Sequence, residues 1–183
     1  MLSVNEYKKS MESTLINVFG CLHGVKQLTL EGFLLQFLAA GNVPERLPTM
    51  YNHLKNLTLN INFENLDQLS VALCLCGSSP NLQEINAKVH STNAASMPHE
   101  SFWGVQEGFD GLFANLRIVT VNEIIGSKNE LCFIEFVLEN APVLEEMNLK
   151  IREPVDKAHS RIFRDLMGFR RASPRARIIC LGK

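Results

Sequence analysis

A short apolar pattern recurs along this chain: a leucine or valine is followed by apolar residues three and five positions later. Its five occurrences start 29, 28, 34 and 28 residues apart, at Val25, Leu54, Leu82, Leu116 and Leu144. Side chains alternate between the faces of a strand, so the second and third apolar residues point to one side while the first fills the preceding turn. The pattern therefore predicts five short strands, each with one buried face.

Two of these strands lie in segments that are nearly copies of each other. SPNLQEINAKV (79–89) and APVLEEMNLKI (141–151) align on their prolines and share a leucine, a glutamate, an asparagine and a lysine. Upstream of each is a helix-start signal at the same distance, Asn65 with Gln68 and Ser127 with Glu130, where two side chains can satisfy free amides reciprocally. The repeating unit is therefore predicted to be a helix, a turn and a strand.

Units of this length indicate a leucine-rich repeat, because one unit cannot bury its apolar face alone and stacked units share a core. The predicted fold class is α/β: a curved leucine-rich repeat solenoid with a parallel sheet on one face and helices on the other. The 34-residue step predicts an insertion, and 177–181 a weaker sixth strand. Helices are predicted at 4–20, 65–76, 101–113, 127–141 and 156–171, whereas 33–40 fits either a buried helix or a strand.

Composition agrees with a globular protein, since 46% of the residues are hydrophobic and 20% are charged. The longest apolar runs are far shorter than the ~20 residues that cross a bilayer, so no membrane contact is predicted. Five cysteines without disulfide spacing, and a start that does not resemble a signal peptide, predict reduced thiols and a cytoplasmic or nuclear location.

The sequence offers no candidate chemistry, since phosphate-binding glycine loops, nucleophile-elbow motifs and zinc-helix motifs do not occur. Cys74 and Cys76 are two apart on a predicted helix and face different directions, which favours core thiols over a metal site. Glu145 and Glu146 are neighbours in a strand and point to opposite sides, so they do not form an acid and base pair. No catalytic residue, cofactor or metal is predicted, and the chain is not expected to be an enzyme.

Outward positions of the predicted strands form a polar strip that suits protein recognition. The candidate partner-binding residues on this strip are Thr58, Glu84, Asn86, Thr120, Glu146 and Asn148, and the alternative is that some merely face water. Trp103 is a further candidate, either as an interface anchor or as packing for a helix. Formal charge is −8 over residues 1–149 and +7 over 150–183. The alternative function is that this basic end binds nucleic acid or an acidic partner. A solvated helix face whose charge balances the acidic remainder of the chain is the favoured interpretation of these residues.

Three segments resemble the plant F-box, leucine-rich repeat and FBD proteins: FWGVQEGFDGLFANLRIVTV (102–121), GSKNELCFIEFVLENAPVLEEMNLKI (126–151) and SPRARIICL (173–181). GNVPERLP before HLKNLTL resembles the repeats that precede an FBD region. The resemblance implies a domain order of an N-terminal helical cap (1–24), leucine-rich repeats (25–100) and an FBD-like C-terminal repeat unit (101–183).

The same resemblance implies the substrate-recognition region of a ubiquitin ligase receptor that binds an unknown protein substrate. Residues 1–24 do not resemble an F-box. A Skp-type adaptor and a cullin are therefore expected as partners only if an F-box is supplied elsewhere. The expected role is a non-enzymatic protein-interaction module.

Overall fold

The computed structural model describes residues 19–20, 22, 24–39, 43–90, 102–103, 111–152 and 158–182. These residues contain six strands and four helices, and 19–20 and 102–103 are also helical. The elements in chain order are β1 (Gln27–Leu30), α1 (Gly32–Ala39), β2 (Asn56–Ile61), α2 (Leu66–Gly77), β3 (Glu84–Val89), β4 (Ile118–Ile124), α3 (Lys128–Asn140), β5 (Glu146–Ile151), α4 (Ala158–Gly168) and β6 (Arg177–Gly182). The predicted helical cap at 1–24 falls largely outside the described residues.

All six strands form one parallel sheet in chain order, β1 to β6. Four residues of the repeating apolar pattern are register partners in successive strands: Leu57, Ile85, Val119 and Met147. Each is at most 1% exposed and belongs to one core with the buried residues of the helices. The predictions of tandem α/β units and a sixth strand are therefore confirmed.

Each strand is entered through the same turn, in which a backbone N–H donates to the carbonyl three residues earlier. The turns join Val25 to Leu22, Leu54 to Tyr51, Leu82 to Ser79, Leu116 to Phe113, Leu144 to Ala141 and Ala176 to Ser173. After this turn, one carbonyl of each of the first four units accepts from two successive N–H groups of the following unit. These shared acceptors are Lys26, Lys55, Gln83 and Arg117. Because the turn and the ladder recur together, successive units stack with the starts of their strands in register.

Asparagine side chains reinforce two of these turns. Asn81 Nδ2 donates to the Asn52 carbonyl at 2.8 Å, and Asn115 Nδ2 donates to the Pro80 carbonyl at 2.9 Å. Both asparagines immediately precede the first leucine of their unit, and both acceptors lie two residues before the first leucine of the previous unit. The side chains therefore connect neighbouring turns at equivalent positions.

The first two helices settle one open prediction and correct another. The ambiguous segment at 33–40 is helical, since α1 spans Gly32–Ala39. The Asn65 side chain caps α2, but Gln68 Oε1 accepts from Asn62 N instead of Asn65 N, so the predicted reciprocal capping box is wrong. Helix α2 ends at Gly77, and Ser78 is its C-terminal cap. Ser78 takes that position because its N–H and hydroxyl both donate to the Cys74 carbonyl.

Helix α3 begins with the predicted capping box of Ser127 and Glu130, which is confirmed. Glu130 is fully buried, and its Oε2 accepts from the backbone N–H groups of Ile125, Gly126 and Ser127 at 3.1, 2.7 and 2.9 Å. Gly126 has a φ of +78°, and a Cβ there would lie 2.9 Å from Ile162 of α4. One carboxylate therefore holds a tight turn against which α4 packs.

The Glu130 carboxyl is expected to make stability depend on pH. Burial, aided by the charge of Glu64, raises its pKa from 4.5 to about 6 despite the three backbone donors. A pKa raised by folding means that the native state holds the proton more tightly, so its contribution is complete below pH 4.5 and is lost as pH rises through 6. The free energy of unfolding should fall by about 2 kcal/mol over this window.

Urea unfolding of the wild type and of Glu130→Gln at pH 4.5 and pH 7.5 measures this contribution. The glutamine cannot titrate, so the difference between the two proteins should change by about 2 kcal/mol in favour of the variant at the higher pH. An identical difference at both pH values would exclude titration of this carboxyl between them.

Candidate protein-binding surface

The outward side chains of the sheet form three rows that cross the strands. The entrance row contains Gln27, Asn56, Glu84, Ile118, Glu146 and Arg177, and the central row contains Thr29, Thr58, Asn86, Thr120, Asn148 and Ile179. The exit row contains Asn60, Lys88, Asn122, Lys150 and Leu181. We call these three rows together the sheet face. The register thus places all six predicted strip residues on one surface.

Hydrogen bonds and an ion pair order the entrance row. Asn56 Nδ2 donates to Glu84 Oε2 at 2.7 Å, and Arg177 Nη2 lies 2.5 Å from Glu146 Oε1. The Glu146 side chain is one-third exposed and the Arg177 side chain is 71% exposed. An exposed ion pair contributes about 0–1 kcal/mol to stability. A partner that displaced this pair would therefore cost the fold little.

The central row keeps unused hydrogen-bonding groups. Within the described part of the chain, the side chains of Thr58, Thr120 and Asn148 make no hydrogen bond, and all three are partly exposed. Asn86 differs because its Oδ1 accepts from Asn122 Nδ2 at 2.7 Å. The middle of the sheet face therefore presents hydroxyl and amide groups that are free to bind a partner.

Charge changes sign from one end of the sheet face to the other. Strands β3 and β5 each begin with a glutamate, Glu84 or Glu146, and carry a lysine four residues later, Lys88 or Lys150. At about 3.3 Å per residue, the acidic and basic ends are about 13 Å apart. Complementary charges on a partner would fix its orientation on this surface.

The exit row was missed by the sequence analysis, although it follows from the same alternation. Counting two residues further from Thr58, Asn86, Thr120 and Asn148 gives the exit-row residues, and the shared lysine of the two copied segments already marked Lys88 and Lys150. Asn122 was harder to predict because β4 has a bulge immediately after it: Glu123 has a φ of +64°, and the register shifts between Asn122 and Ile124.

Trp103 lies in the helical layer and is not on the sheet face. Its ring centroid is 5.3 Å from that of Phe136 and 6.2 Å from that of Phe133, both on α3, and 5.1 Å from that of Phe102. The ring is half-buried, and its Nε1 is buried without a hydrogen-bond partner in the described residues. The structure therefore separates Trp103 from the other six candidates, and a partner-binding role for it stays a prediction.

Several arginines of the basic end are exposed, but two are already engaged. Arg171 Nη1 donates to the Ala176 carbonyl at 3.3 Å, and Arg177 pairs with Glu146. Arg164, Arg170 and Arg175 are exposed. These exposed arginines lie in α4 and in the segment that joins it to β6, so positive charge collects at the β6 end of the described chain.

The two neighbouring cysteines of α2 are core residues. Cys74 and Cys76 are 3% and 4% exposed, and burial raises the pKa of Cys74 to about 11 and that of Cys76 to about 12. A thiol that stays protonated is a poor nucleophile and a poor metal ligand. Within the described residues, no three His, Cys, Asp or Glu side chains converge as a metal site.

One family model matches a segment in the second half of the chain. The family model named FBD matches residues 111–149, which run from the turn before β4 through α3 into β5. This span contains the capping box of α3, Glu130 and the outward residues Thr120 and Asn148. The FBD match therefore covers the helix–turn–strand unit of α3 and β5 and part of the sheet face.

A relative extends the likeness to nearly the whole chain. An F-box/FBD/LRR-repeat protein of Arabidopsis thaliana is 29% identical over 180 residues, which cover 97% of this chain and 43% of the relative. The chain thus spans less than half the length of that protein. No solved structure is significantly similar to the chain. No helix among the described residues is both long and apolar enough to cross a membrane. Together, the FBD match and this relative confirm the resemblance to the plant F-box/FBD/LRR-repeat family.

Proposed function

We propose that the chain is a non-enzymatic protein-interaction module whose sheet face binds a partner protein. The observation that carries this proposal is the constant register of the strands, which aligns Thr58, Asn86, Thr120 and Asn148 in one row. Free polar groups in this row, between an acidic and a basic end, suit specific recognition of a protein surface.

The proposed architecture is a curved leucine-rich repeat solenoid. Its support is the chain-order parallel sheet with a recurring turn before each strand. In such folds a small rotation between units produces a concave surface that successive strands line. We place this concave surface on the sheet face, because the helices pack against the opposite side.

Within the cell we propose that the module recognises the substrate of a ubiquitin ligase in the cytoplasm or nucleus. The similarity to an F-box/FBD/LRR-repeat protein supports this role. In this proposal an F-box, supplied in the same polypeptide or by another chain, recruits a Skp-type adaptor and a cullin. The sheet face holds the protein that is to be modified.

Affinity capture with a charge variant tests the binding role. Thr120→Arg places a long cation in the middle of the central row, where the wild-type hydroxyl has no hydrogen-bond partner in the described structure. We expect at least a tenfold loss of the proteins that the wild type captures, scored by quantitative mass spectrometry. The matched control is Glu139→Arg, an exposed position on α3, which should retain them.

The outcomes separate the candidate functions. Capture that is unchanged in Thr120→Arg and lost when Arg170 and Arg175 are replaced by glutamine would contradict the sheet-face proposal and favour the basic end. Capture of the adaptor and the cullin together with a partner would support the ligase role. Partner capture without either, by a chain joined to an F-box, would exclude that role while leaving protein binding intact.

A further inference from the structure

A cleft of about 470 Å³ opens beside the ends of the first strands and is separate from the central row. Among the described residues that line it, five carry carboxamide side chains and one carries a phenyl ring: Gln36, Asn60, Asn62, Asn65, Gln68 and Phe33. Glu31 and His90 are the titratable residues of this lining, and Glu31 supplies its formal charge. Clefts of this size bind small molecules or short chain segments.

Backbone contacts fix the direction of three of these carboxamides. Asn62 Oδ1 accepts from Glu64 N at 3.0 Å, and Gln68 Oε1 accepts from Asn62 N at 2.9 Å. Asn65 Oδ1 accepts from the N–H groups that begin α2. A backbone N–H can only donate, so the oxygen of each amide must point to the backbone and the NH₂ group must point away.

These NH₂ groups have no partner in the described protein. Gln68 is only 6% exposed, so its amide is held in the wall of the cleft and is not a mobile surface group. Each nitrogen offers donors to whatever enters. The cleft is therefore rich in fixed donors, and its described lining contains no lysine or arginine, which favours neutral carbonyl oxygens over phosphate or carboxylate, particularly beside Glu31.

Asn60 carries an unmet hydrogen bond at the same site. Its Oδ1 is buried without a partner in the described structure, and Gly32 of α1 lies close enough that an added Cβ would be 3.7 Å from Asn60 Cγ. A buried, unpaired acceptor costs about 1–3 kcal/mol. The terminal torsion of asparagine is soft, so rotation can bring either amide atom to a ligand. Asn60 therefore lowers stability while the cleft is empty.

An exposed aromatic ring and the sheet face border the cleft. Phe33 is 78% exposed at its rim. Asn60 also belongs to β2, where Asn56, Thr58 and Asn60 point to the same side. A chain lying along β2 on the sheet face would therefore reach the cleft. An extended peptide satisfies these features, since it has a carbonyl at every residue and can place an apolar side chain on the ring.

We propose that this cleft binds an extended, uncharged peptide segment through its main-chain carbonyls, with one bulky apolar side chain against Phe33. The assignment rests on the proposed protein-binding role but not on the central row. The cleft would thus be a second, sequence-selective contact for a partner whose main surface lies on the sheet face.

Selection from a displayed library of random linear heptapeptides tests this assignment with the full chain. The most enriched sequence is synthesised with blocked ends, and its affinity is measured by fluorescence polarisation. We expect enrichment of uncharged peptides with one large apolar residue. Asn60→Leu and Phe33→Ala should each weaken binding at least tenfold. Met167→Ala is the matched control, because Met167 is 80% exposed on α4, and it should bind like the wild type.

Thermal unfolding separates a binding defect from a folding defect. Asn60→Leu removes a buried, unpaired acceptor and breaks no hydrogen bond, so its melting temperature should equal or exceed that of the wild type. Loss of peptide binding without loss of stability would support the assignment. The assignment would be overturned by peptides that bind Asn60→Leu as tightly as the wild type, or by the absence of enriched peptides. It would also be overturned if a soluble cello-oligosaccharide, a neutral ligand of another class, saturated the cleft in place of peptide.

The proposed function can fail independently of this inference. Peptide binding that survives Thr120→Arg but is lost in Asn60→Leu supports the cleft whether or not the central row binds a partner. Peptide binding that survives Asn60→Leu and is lost in Thr120→Arg overturns the cleft assignment and leaves the sheet face as the binding surface.

Discussion

Replacing Val119 with aspartate is expected to unfold the chain. Val119 is the second residue of β4, is fully buried, and has Ile85 and Met147 as register partners in the flanking strands. A carboxylate at this position would be taken out of water without a partner. We expect a loss of about 5 kcal/mol or more, comparable with the whole stability of many domains. Circular dichroism and chemical unfolding of the purified variant measure the effect.

The neighbouring residue provides the control. Thr120→Asp introduces the same group one position later, where the side chain points to the sheet face and is partly exposed. Its cost should stay below about 1 kcal/mol, as for most substitutions away from the core. Equal losses at the two positions would contradict the alternation of buried and outward residues on which the sheet face depends.

Replacing Glu130 with alanine should cause the second-largest loss of stability. The change removes the acceptor for the N–H groups of Ile125, Gly126 and Ser127 and abolishes the capping box of α3. Buried donors left unpaired cost about 1–3 kcal/mol each, and part of this cost is recovered by relaxation. We expect a loss of about 3–5 kcal/mol in urea unfolding at pH 7.

A second glutamate on the same helix controls for the change in charge. Glu139 is exposed near the end of α3, so Glu139→Ala should change the free energy of unfolding by less than about 0.5 kcal/mol. A Glu130→Ala protein within 1 kcal/mol of this control would mean that the three N–H groups find other acceptors. The role of Glu130 in holding the turn before α3 would then be wrong.

The sheet was predictable because each strand repeats its own pattern. Leu57, Ile85, Val119 and Met147 occupy equivalent places in units of similar length, so counting along the sequence also gives the register across the sheet. The α3 cap was equally readable, since Ser127 and Glu130 are only three residues apart and act on the same turn. Local periodicity and local capping are signals that a single sequence carries.

Features that depend on contacts between distant segments were not readable in this way. Gln68 has the spacing of a capping partner for Asn65 but accepts from Asn62 N instead, because the Asn65 N–H already donates to the Asn62 carbonyl at 3.0 Å. The peptide-binding cleft proposed above is formed by residues of α1, β2 and α2 and of the adjoining segments. In the sequence, its polar residues looked like ordinary loop and helix residues. Trp103 could be assigned to the helical layer only once the positions of Phe133 and Phe136 were known.

We expect a partner protein to bind on the central row of the sheet face, and protection of engineered cysteines from alkylation tests this most directly. Thr58→Cys, Thr120→Cys and Glu139→Cys place a thiol on the central row twice and on α3 once. Their alkylation rates are compared with and without the captured partner at saturating concentration. We predict at least tenfold slower alkylation at positions 58 and 120 and an unchanged rate at 139. Protection at 139 alone, or unchanged rates at 58 and 120, would contradict partner binding on the sheet face.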